Sequence, residues 1–371
     1  MSAVTATKPT RARTALIMAG GTGGHVYPAL AVAERLRSEG WQVVWLGTRH
    51  GLEARVIPHH HIDLRFVRIS GLRGKGWLNW ALAPFKLLLA LVQCLAIIRR
   101  IGPQVVLGMG GFAAGPGALA AWLMGKPLLV HEQNAIPGLT NRFLARLAKE
   151  VMEAFPGSFP QCCRALHTGN PVRQRIVDLP PPGARLAGRG NEPLRLLVLG
   201  GSQGARALNE VVPLALVSFK PIDSVEVRHQ VGPAQLEATR QCYRVAAAPA
   251  VELIAFIEDM AAAYGWADLV LCRAGAMTIA ELAAAGAASI LVPFPFAADD
   301  HQTANARYLA ERGAAILVPQ SELTGARLCG LLHELGQARG RLLEMAKAAR
   351  DLAIADATAR VASRCMGVGY G

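Results

Sequence analysis

Two glycine-rich loops mark where this chain could hold an anion. The apolar run Thr14–Ala19 leads into Gly20-Gly-Thr-Gly-Gly-His25, and Leu194–Leu199 leads into Gly200-Gly-Ser-Gln-Gly-Ala205. In each, glycines after a buried strand allow a sharp turn and a close backbone approach to a ligand. The helical pattern that follows aims free N–H groups and a positive dipole end at that ligand, which suits phosphate. A third opening of this kind is Arg273-Ala-Gly-Ala-Met-Thr-Ile-Ala-Glu281. There Glu281 falls about two turns into the expected helix, where a carboxylate can accept two vicinal ribose hydroxyls. Pro293-Phe-Pro-Phe-Ala-Ala-Asp-Asp-His-Gln302 follows the next strand and brings more polar groups to the same rim.

Several motifs that would name another ligand are missing. A dinucleotide site wants an acid at the tip of the second strand, but Trp45-Leu46 runs into Gly47-Thr-Arg-His50. No GxxxxGK[ST] loop and no Asp-x-Asp pair occurs. A pyrophosphate would then be neutralised by N–H groups and cations, with no cofactor and no metal. Chemistry at a hydroxyl needs a base near neutral pKa. His25, closing the first loop, and Glu132, following a strand, are both candidates, while His131 ends a buried strand and reads as structural. In His59-His60-His61 consecutive side chains diverge, so a solvated loop is expected rather than a metal site.

These residues need two scaffolds. Alternating apolar strands and helical stretches predict parallel sheets wound on both faces. Candidate strands are 14–19, 42–46, 65–69, 104–108 and 127–131, then 194–199, 225–231, 251–256, 268–272, 289–292 and 314–318. At 371 residues and 52% hydrophobic, the chain can bury two cores. The expected division is a first domain over 14–177, a linker over 178–193, a second domain over 194–340, and a C-terminal helix over 341–365 packing back towards the first. The linker holds four prolines and three glycines. Seven cysteines, odd in number and without metal-type spacing, read as reduced thiols. The basic N-terminus before an apolar run mimics a signal peptide, but the run is short and passes straight into the glycine loop.

A formal charge of +13 favours an anionic partner. With little aromatic content and no recognition helix, nucleic acid is the weakest such partner. Between Asp63 and Glu132 there is no acid, whereas Arg65, Arg68, Arg73, Lys75, Lys86, Arg99, Arg100 and Lys126 fall there. The same stretch holds Trp77, Trp80, Pro84 and the apolar run to Ile98. Its uninterrupted apolar runs fall well short of the ~20 residues that span a bilayer. Tryptophan and cations beside an apolar face suit an anionic headgroup region. A peripheral membrane patch is therefore expected.

In order, Gly20–His25, His131-Glu-Gln-Asn-Ala-Ile-Pro-Gly-Leu-Thr-Asn141, Gly169-Asn-Pro-Val-Arg173, Gly200–Ala205 and Arg273–Glu281 resemble the lipid I N-acetylglucosaminyltransferases of glycosyltransferase family 28. The resemblance runs from about residue 14 to 360. It implies the α/β GT-B fold, two Rossmann-like domains with doubly wound parallel sheets facing a cleft. It also implies transfer of N-acetylglucosamine from UDP-GlcNAc to the C4 hydroxyl of undecaprenyl-linked lipid I, inverting the anomeric centre. The setting implied is the cytoplasmic face of the cell membrane, with peripheral attachment to an anionic surface and protein partners left open. Carried over by motif, Thr22, Gly23 and Gly24 lie beside the donor, and Asn134 and Arg173 reach it from the first domain. Ser202 contacts the diphosphate and Ile257 packs by the uracil. Ala276, Met277, Thr278, Ile279, Ala280 and Glu281 cradle phosphate and ribose, and Gln302 meets the sugar hydroxyls. Two departures are Ala135, where glycine is common, and Phe112, where some members have tyrosine. The competing readings are a GT-B enzyme acting on another lipid, a UDP-N-acetylglucosamine epimerase, a dinucleotide oxidoreductase and a non-catalytic membrane scaffold.

Overall fold

β1 (Thr14–Met18) is buried at every position, as a strand covered by helices on both faces must be. The computed structural model describes residues 13–69, 83–190, 192–201, 204–219, 225–249 and 251–369. Around β1 a sheet of seven parallel strands forms in the order β3-β2-β1-β4-β5-β6-β7. Its other strands are β2 (Gln42–Gly47), β3 (Asp63–Phe66), β4 (Val105–Gly108), β5 (Leu128–Glu132), β6 (Glu150–Glu153) and β7 (Leu166–His167). A second parallel sheet has the order β10-β9-β8-β11-β12-β13. It comprises β8 (Leu194–Leu199), β9 (Val225–Gln230), β10 (Glu252–Ile254), β11 (Leu269–Cys272), β12 (Ser289–Leu291) and β13 (Ala315–Leu317).

Both sheets reverse their winding beside their first strand, between β1 and β4 and between β8 and β11. In doubly wound sheets, ligands bind outside the strand ends at such reversals. The first glycine loop follows β1, the second follows β8, and Arg273–Glu281 follows β11. Strand direction therefore brings all three phosphate-type loops to switch points.

Three differences from the sequence expectation have physical causes. β3 covers 63–66 rather than 65–69, because after Val67 donates to Gly47 O the chain turns, with Ile69 N bonding Val67 O. β6 and β7 went unread: β6 carries Glu at both ends, and β7 is two exposed residues. The 178–193 segment is no free tether. It forms a short helix, Pro182–Leu186, and Arg185 donates to the carbonyls of Tyr264, Ala285 and Gly286. Arg189 then pairs through two bonds with the buried Asp268 at 2.9 and 3.1 Å.

The C-terminal helix Ala357–Gly369 places Val361, Ala362, Cys365 and Val368 in the core of the first sheet. Arg364 fixes it there through a two-pronged bond to Glu150 at 2.7 and 2.8 Å.

Each lobe buries one histidine fully. His131 is the penultimate residue of β5, and His229 lies between Tyr243 and Asn209. Burial pushes His131 down to about 4 and His229 down to about 3. The unfolded rings take up protons near 6.5, so below that pH the unfolded chain binds more protons. Stability is expected to fall as pH drops from about 6.5 towards 4. Urea unfolding at several pH values checks this, and a midpoint constant across that window would contradict it.

Candidate active site

On the second sheet, the helix Ala276–Ala285 starts directly after β11. Its N-cap Gly275 contributes no side-chain cap, the first turn holds no acid, and Ile279 N bonds Gly275 O at 3.0 Å. The amides of Ala276, Met277 and Thr278 thus lie in the turn whose N–H groups lack intrahelical acceptors. Ala276 and Ile279 are buried in the core, so their side chains shape the turn rather than face a ligand. Met277, Thr278 and Ala280 are half-buried.

Glu281 is already partnered. Its Oε1 accepts from Arg173 Nη2 at 2.9 Å, and its Oε2 accepts from the buried Tyr264 hydroxyl at 3.1 Å. The sequence analysis brings Arg173 to the donor and Glu281 to its phosphate and ribose as separate duties. The structure joins them, so Glu281 offsets the charge of Arg173. Gln302 opens the helix His301–Ala310, and its amide oxygen accepts from Phe294 N at 2.9 Å. Ile257 is half-buried against the second sheet's core. Ser202 lies outside the described residues.

The two glycine loops close on different groups. In the second, Gln230 grips Gly201 from both sides, accepting from its N–H at 3.0 Å and donating to its carbonyl at 2.9 Å. In the first, the acceptor is the buried carboxylate of Glu53. It takes Gly21 N–H at 2.9 Å, and Thr48 N–H and hydroxyl each at 2.8 Å. A Cβ on Gly20 would lie 2.5 Å from Glu53 Oε1. A negative group beneath the first loop disfavours an anion there, whereas the neutral Gln230 does not. The two loops expected from sequence to be alike thus differ in what backs them, a carboxylate behind the first and a neutral amide behind the second. Thr22 is the N-cap of the helix Gly23–Ser38, which places Gly23, Gly24 and His25 in its first turn.

His25 is held from two sides. Its Nδ1 lies 2.7 Å from Gln133 Oε1. The Nδ1–Cε1 edge packs on Gly110, where a Cβ would sit 2.8 Å from both atoms and φ is +98°. Only glycine tolerates both that crowding and that backbone angle.

Glu132, the rival candidate base, is buried and fully engaged. It is 1% exposed, and both oxygens are engaged. Oε1 accepts from Asn134 N at 2.9 Å and Asn134 Nδ2 at 3.2 Å. Oε2 accepts from Gly138 N at 3.2 Å and Asn141 Nδ2 at 2.9 Å. Four donors leave it holding the 133–141 turn. Asn134 consequently faces the other lobe, where its Oδ1 accepts from Asn305 Nδ2 at 3.3 Å, and Ala135 N donates to Asn305 Oδ1 at 2.8 Å. Asn305 and Glu53, which hold the loops of the candidate site, are not signalled as site residues by the sequence motifs. Asn305 had one signal, a polar residue on the buried face of a helix; Glu53 had none. Of the histidine triplet, His60 pairs with Glu34 at 2.9 Å.

The paired switch-point loops on two facing parallel-sheet lobes define a GT-B glycosyltransferase. Family models agree: the glycosyltransferase family 28 N-terminal domain matches residues 15–153, and its C-terminal domain matches 195–361. The chain belongs to glycosyltransferase family 28. It is 56% identical over 96% of its length to a Nitrosococcus oceani protein covered over 99%, and 57% identical over 95% to one from Alkalilimnicola ehrlichii covered over 98%. Both relatives are named UDP-N-acetylglucosamine–N-acetylmuramyl-(pentapeptide) pyrophosphoryl-undecaprenol N-acetylglucosamine transferase. The crystal structure of Acinetobacter baumannii MurG superposes with a TM-score of 0.82 at 43% identity, covering 96% of this chain and 99% of that one.

Glu132→Gln separates holding a turn from moving a proton. An amide keeps one acceptor and turns the other against N–H donors, so stability should fall by about 1–3 kcal/mol. The pH profile of kcat should keep its shape. Near-complete loss of turnover in a protein of undiminished Tm would restore Glu132 as the base.

Proposed function

We propose that this chain transfers N-acetylglucosamine from UDP-GlcNAc to the C4 hydroxyl of the lipid-linked muramyl sugar, giving lipid II and UDP. The observation that carries this reading is identity above one half, along nearly the whole chain, to enzymes named for that reaction. The donor diphosphate lies at the N-terminus of the Ala276–Ala285 helix, and its ribose at Glu281. The acceptor sugar lies over the first glycine loop, where Glu53 makes the ground unfavourable for phosphate.

In the transfer, His25 Nε2 takes the proton of the C4 hydroxyl. The freed oxygen electron pair forms the new bond to the anomeric carbon, on the face opposite the diphosphate. The bond from that carbon to the diphosphate breaks, its electron pair leaves with UDP, and α becomes β. Positive potential for the leaving group comes chiefly from the helix end, and Arg173, partly offset by Glu281, adds N–H donors. Because the carboxylates near the site are spent on backbone and side-chain donors, we expect turnover to persist with a chelator present.

A membrane surface fits the first lobe. The helix Ala83–Ile101 buries Ala83, Ala90, Cys94 and Ile98 along one stripe. Its opposite side exposes Phe85, Leu88, Leu89 and Val92, with Leu88 at 59% and Phe85 at 72%. Trp122 and Leu123 are exposed at the end of the adjoining helix Ala114–Leu123. Arg99 and Arg100 close the first helix in a stretch without acids. Trp77, Trp80, Arg73 and Lys75 lie outside the described residues. Among the described residues no helix is long and apolar enough to cross a membrane. The proposal is therefore peripheral attachment at the cytoplasmic face, which brings the site to a lipid-anchored acceptor.

Purified protein given UDP-GlcNAc and a lipid I analogue should release UDP and form the disaccharide lipid, while the donor alone should stay unchanged. Epimerised donor without acceptor would overturn the reading. His25→Ala should lower kcat by roughly 100- to 10,000-fold, and Glu281→Ala should chiefly raise the donor KM, by about tenfold or more. A kcat unchanged in the first variant would remove His25 from the chemistry. On anionic vesicles, the double variant Leu88→Gln with Val92→Gln should bind at least about tenfold more weakly, and added salt should weaken the parent protein. Binding indifferent to both changes would contradict the patch.

A further inference from the structure

Behind His25, away from the reacting atoms, lie two buried polar side chains that the chemistry above does not use. Gln133 and His131 are both fully buried at the end of β5. Their hydrogen bonds form one chain. His131 Nε2 lies 2.9 Å from the carbonyl of Gly169. Gln133 Nε2 lies 3.1 Å from His131 Nδ1 and 3.1 Å from the carbonyl of His131 itself. Gln133 Oε1 lies 2.7 Å from His25 Nδ1.

The direction of every bond in this chain is dictated by two main-chain carbonyls, which can only accept. The Gly169 carbonyl requires a proton on His131 Nε2. Burial pushes His131 down to about 4, so the ring is neutral at working pH and its Nδ1 must then accept. The group facing that Nδ1 must be a donor, which makes it the amide NH2 of Gln133. The His131 carbonyl demands the same orientation independently. The other end of the amide is then its oxygen, which can only accept, so His25 Nδ1 must carry the proton. In neutral His25 that leaves the lone pair on Nε2.

We propose that His131 and Gln133 are positioning residues that fix His25 in its Nδ1-protonated tautomer, so that Nε2 is always the atom ready to take the acceptor's proton. This deepens the reading of His25 as general base and rests on it. The device differs from a carboxylate–histidine pair. A neutral amide sets the tautomer and the ring plane without adding a charge to the imidazole. When Nε2 becomes protonated, Nδ1–H is unchanged, and no atom of the relay has to move.

Nitrogen-15 NMR of the histidine-labelled full-length protein reads the tautomer without any turnover, with the His25 signals identified by their loss in His25→Ala. At neutral pH, His25 should show a protonated Nδ1 and an unprotonated Nε2. Gln133→Leu should let the two tautomers mix and lower kcat by roughly 10- to 100-fold, as for other outer partners of functional histidines, with the donor KM held. Gln133→Glu keeps an acceptor for Nδ1–H but adds negative charge. It should therefore preserve the tautomer and move the acid limb of the kcat pH profile upward, a change that a packing role would not produce. A parent protein with Nε2 protonated, or a Gln133→Leu variant with parental tautomer and kcat, would overturn the relay. Full turnover by His25→Ala would instead overturn the base assignment, and the NMR tautomer would still judge the relay on its own.

Discussion

The polar side chains at the end of β5 and just beyond it have to find partners, because they have little access to water. His131, Glu132 and Gln133 are all buried, and Asn134 and Ala135 bond to the buried Asn305 of the other lobe. An unpaired polar group in such a place costs about as much as several ordinary hydrogen bonds contribute. Glu132 shapes the turn, Gln133 reaches back to His25, and Asn134 meets the second lobe. Asn170 adds a third tie, donating to Gln133 O at 2.9 Å. Catalytic geometry on the first lobe and the contact between lobes thus depend on the same five residues.

Electrostatics then divides the work. The first loop closes on the carboxylate of Glu53 and the second on the neutral amide of Gln230. Both are glycine turns at sheet switch points, but only the second side offers an anion uncompensated N–H groups without a buried charge behind them. Arg173 reaches from the first lobe to Glu281 on the second, so the carboxylate proposed to meet the ribose is already oriented. That pair is partly exposed, with Arg173 at 42%, and its net contribution to stability is small. Its role lies in placement.

The sequence made the fold legible wherever a strand is buried on both faces. β1, β2, β4, β5, β8 and β11 all read as largely apolar runs, and the glycines after β1 and β8 marked the switch points. Edge strands such as β7 left no pattern, since two exposed residues have no periodicity to detect. In the 178–193 segment, prolines and glycines signalled irregular backbone correctly but could not reveal that Arg185 and Arg189 bind it to the second lobe. Site residues were legible as motifs and not as interactions. Composition gives no hint that Glu132 accepts four donors, that Glu53 underlies the first loop, or that Gln133 bridges two histidines. Each depends on contacts between segments far apart in sequence; His25 and Gln133, for instance, are 108 residues apart.

The account stands on where the donor diphosphate and the acceptor hydroxyl sit relative to His25 and the Ala276–Ala285 helix. A crystal structure with intact UDP-GlcNAc and an unreactive acceptor mimic measures both at once. It should show the diphosphate on the Ala276–Thr278 amides, with the acceptor C4 oxygen about 3 Å from His25 Nε2. A diphosphate bound instead over Glu53 on the first glycine loop, or an acceptor oxygen facing Nδ1 or another side chain, would contradict it.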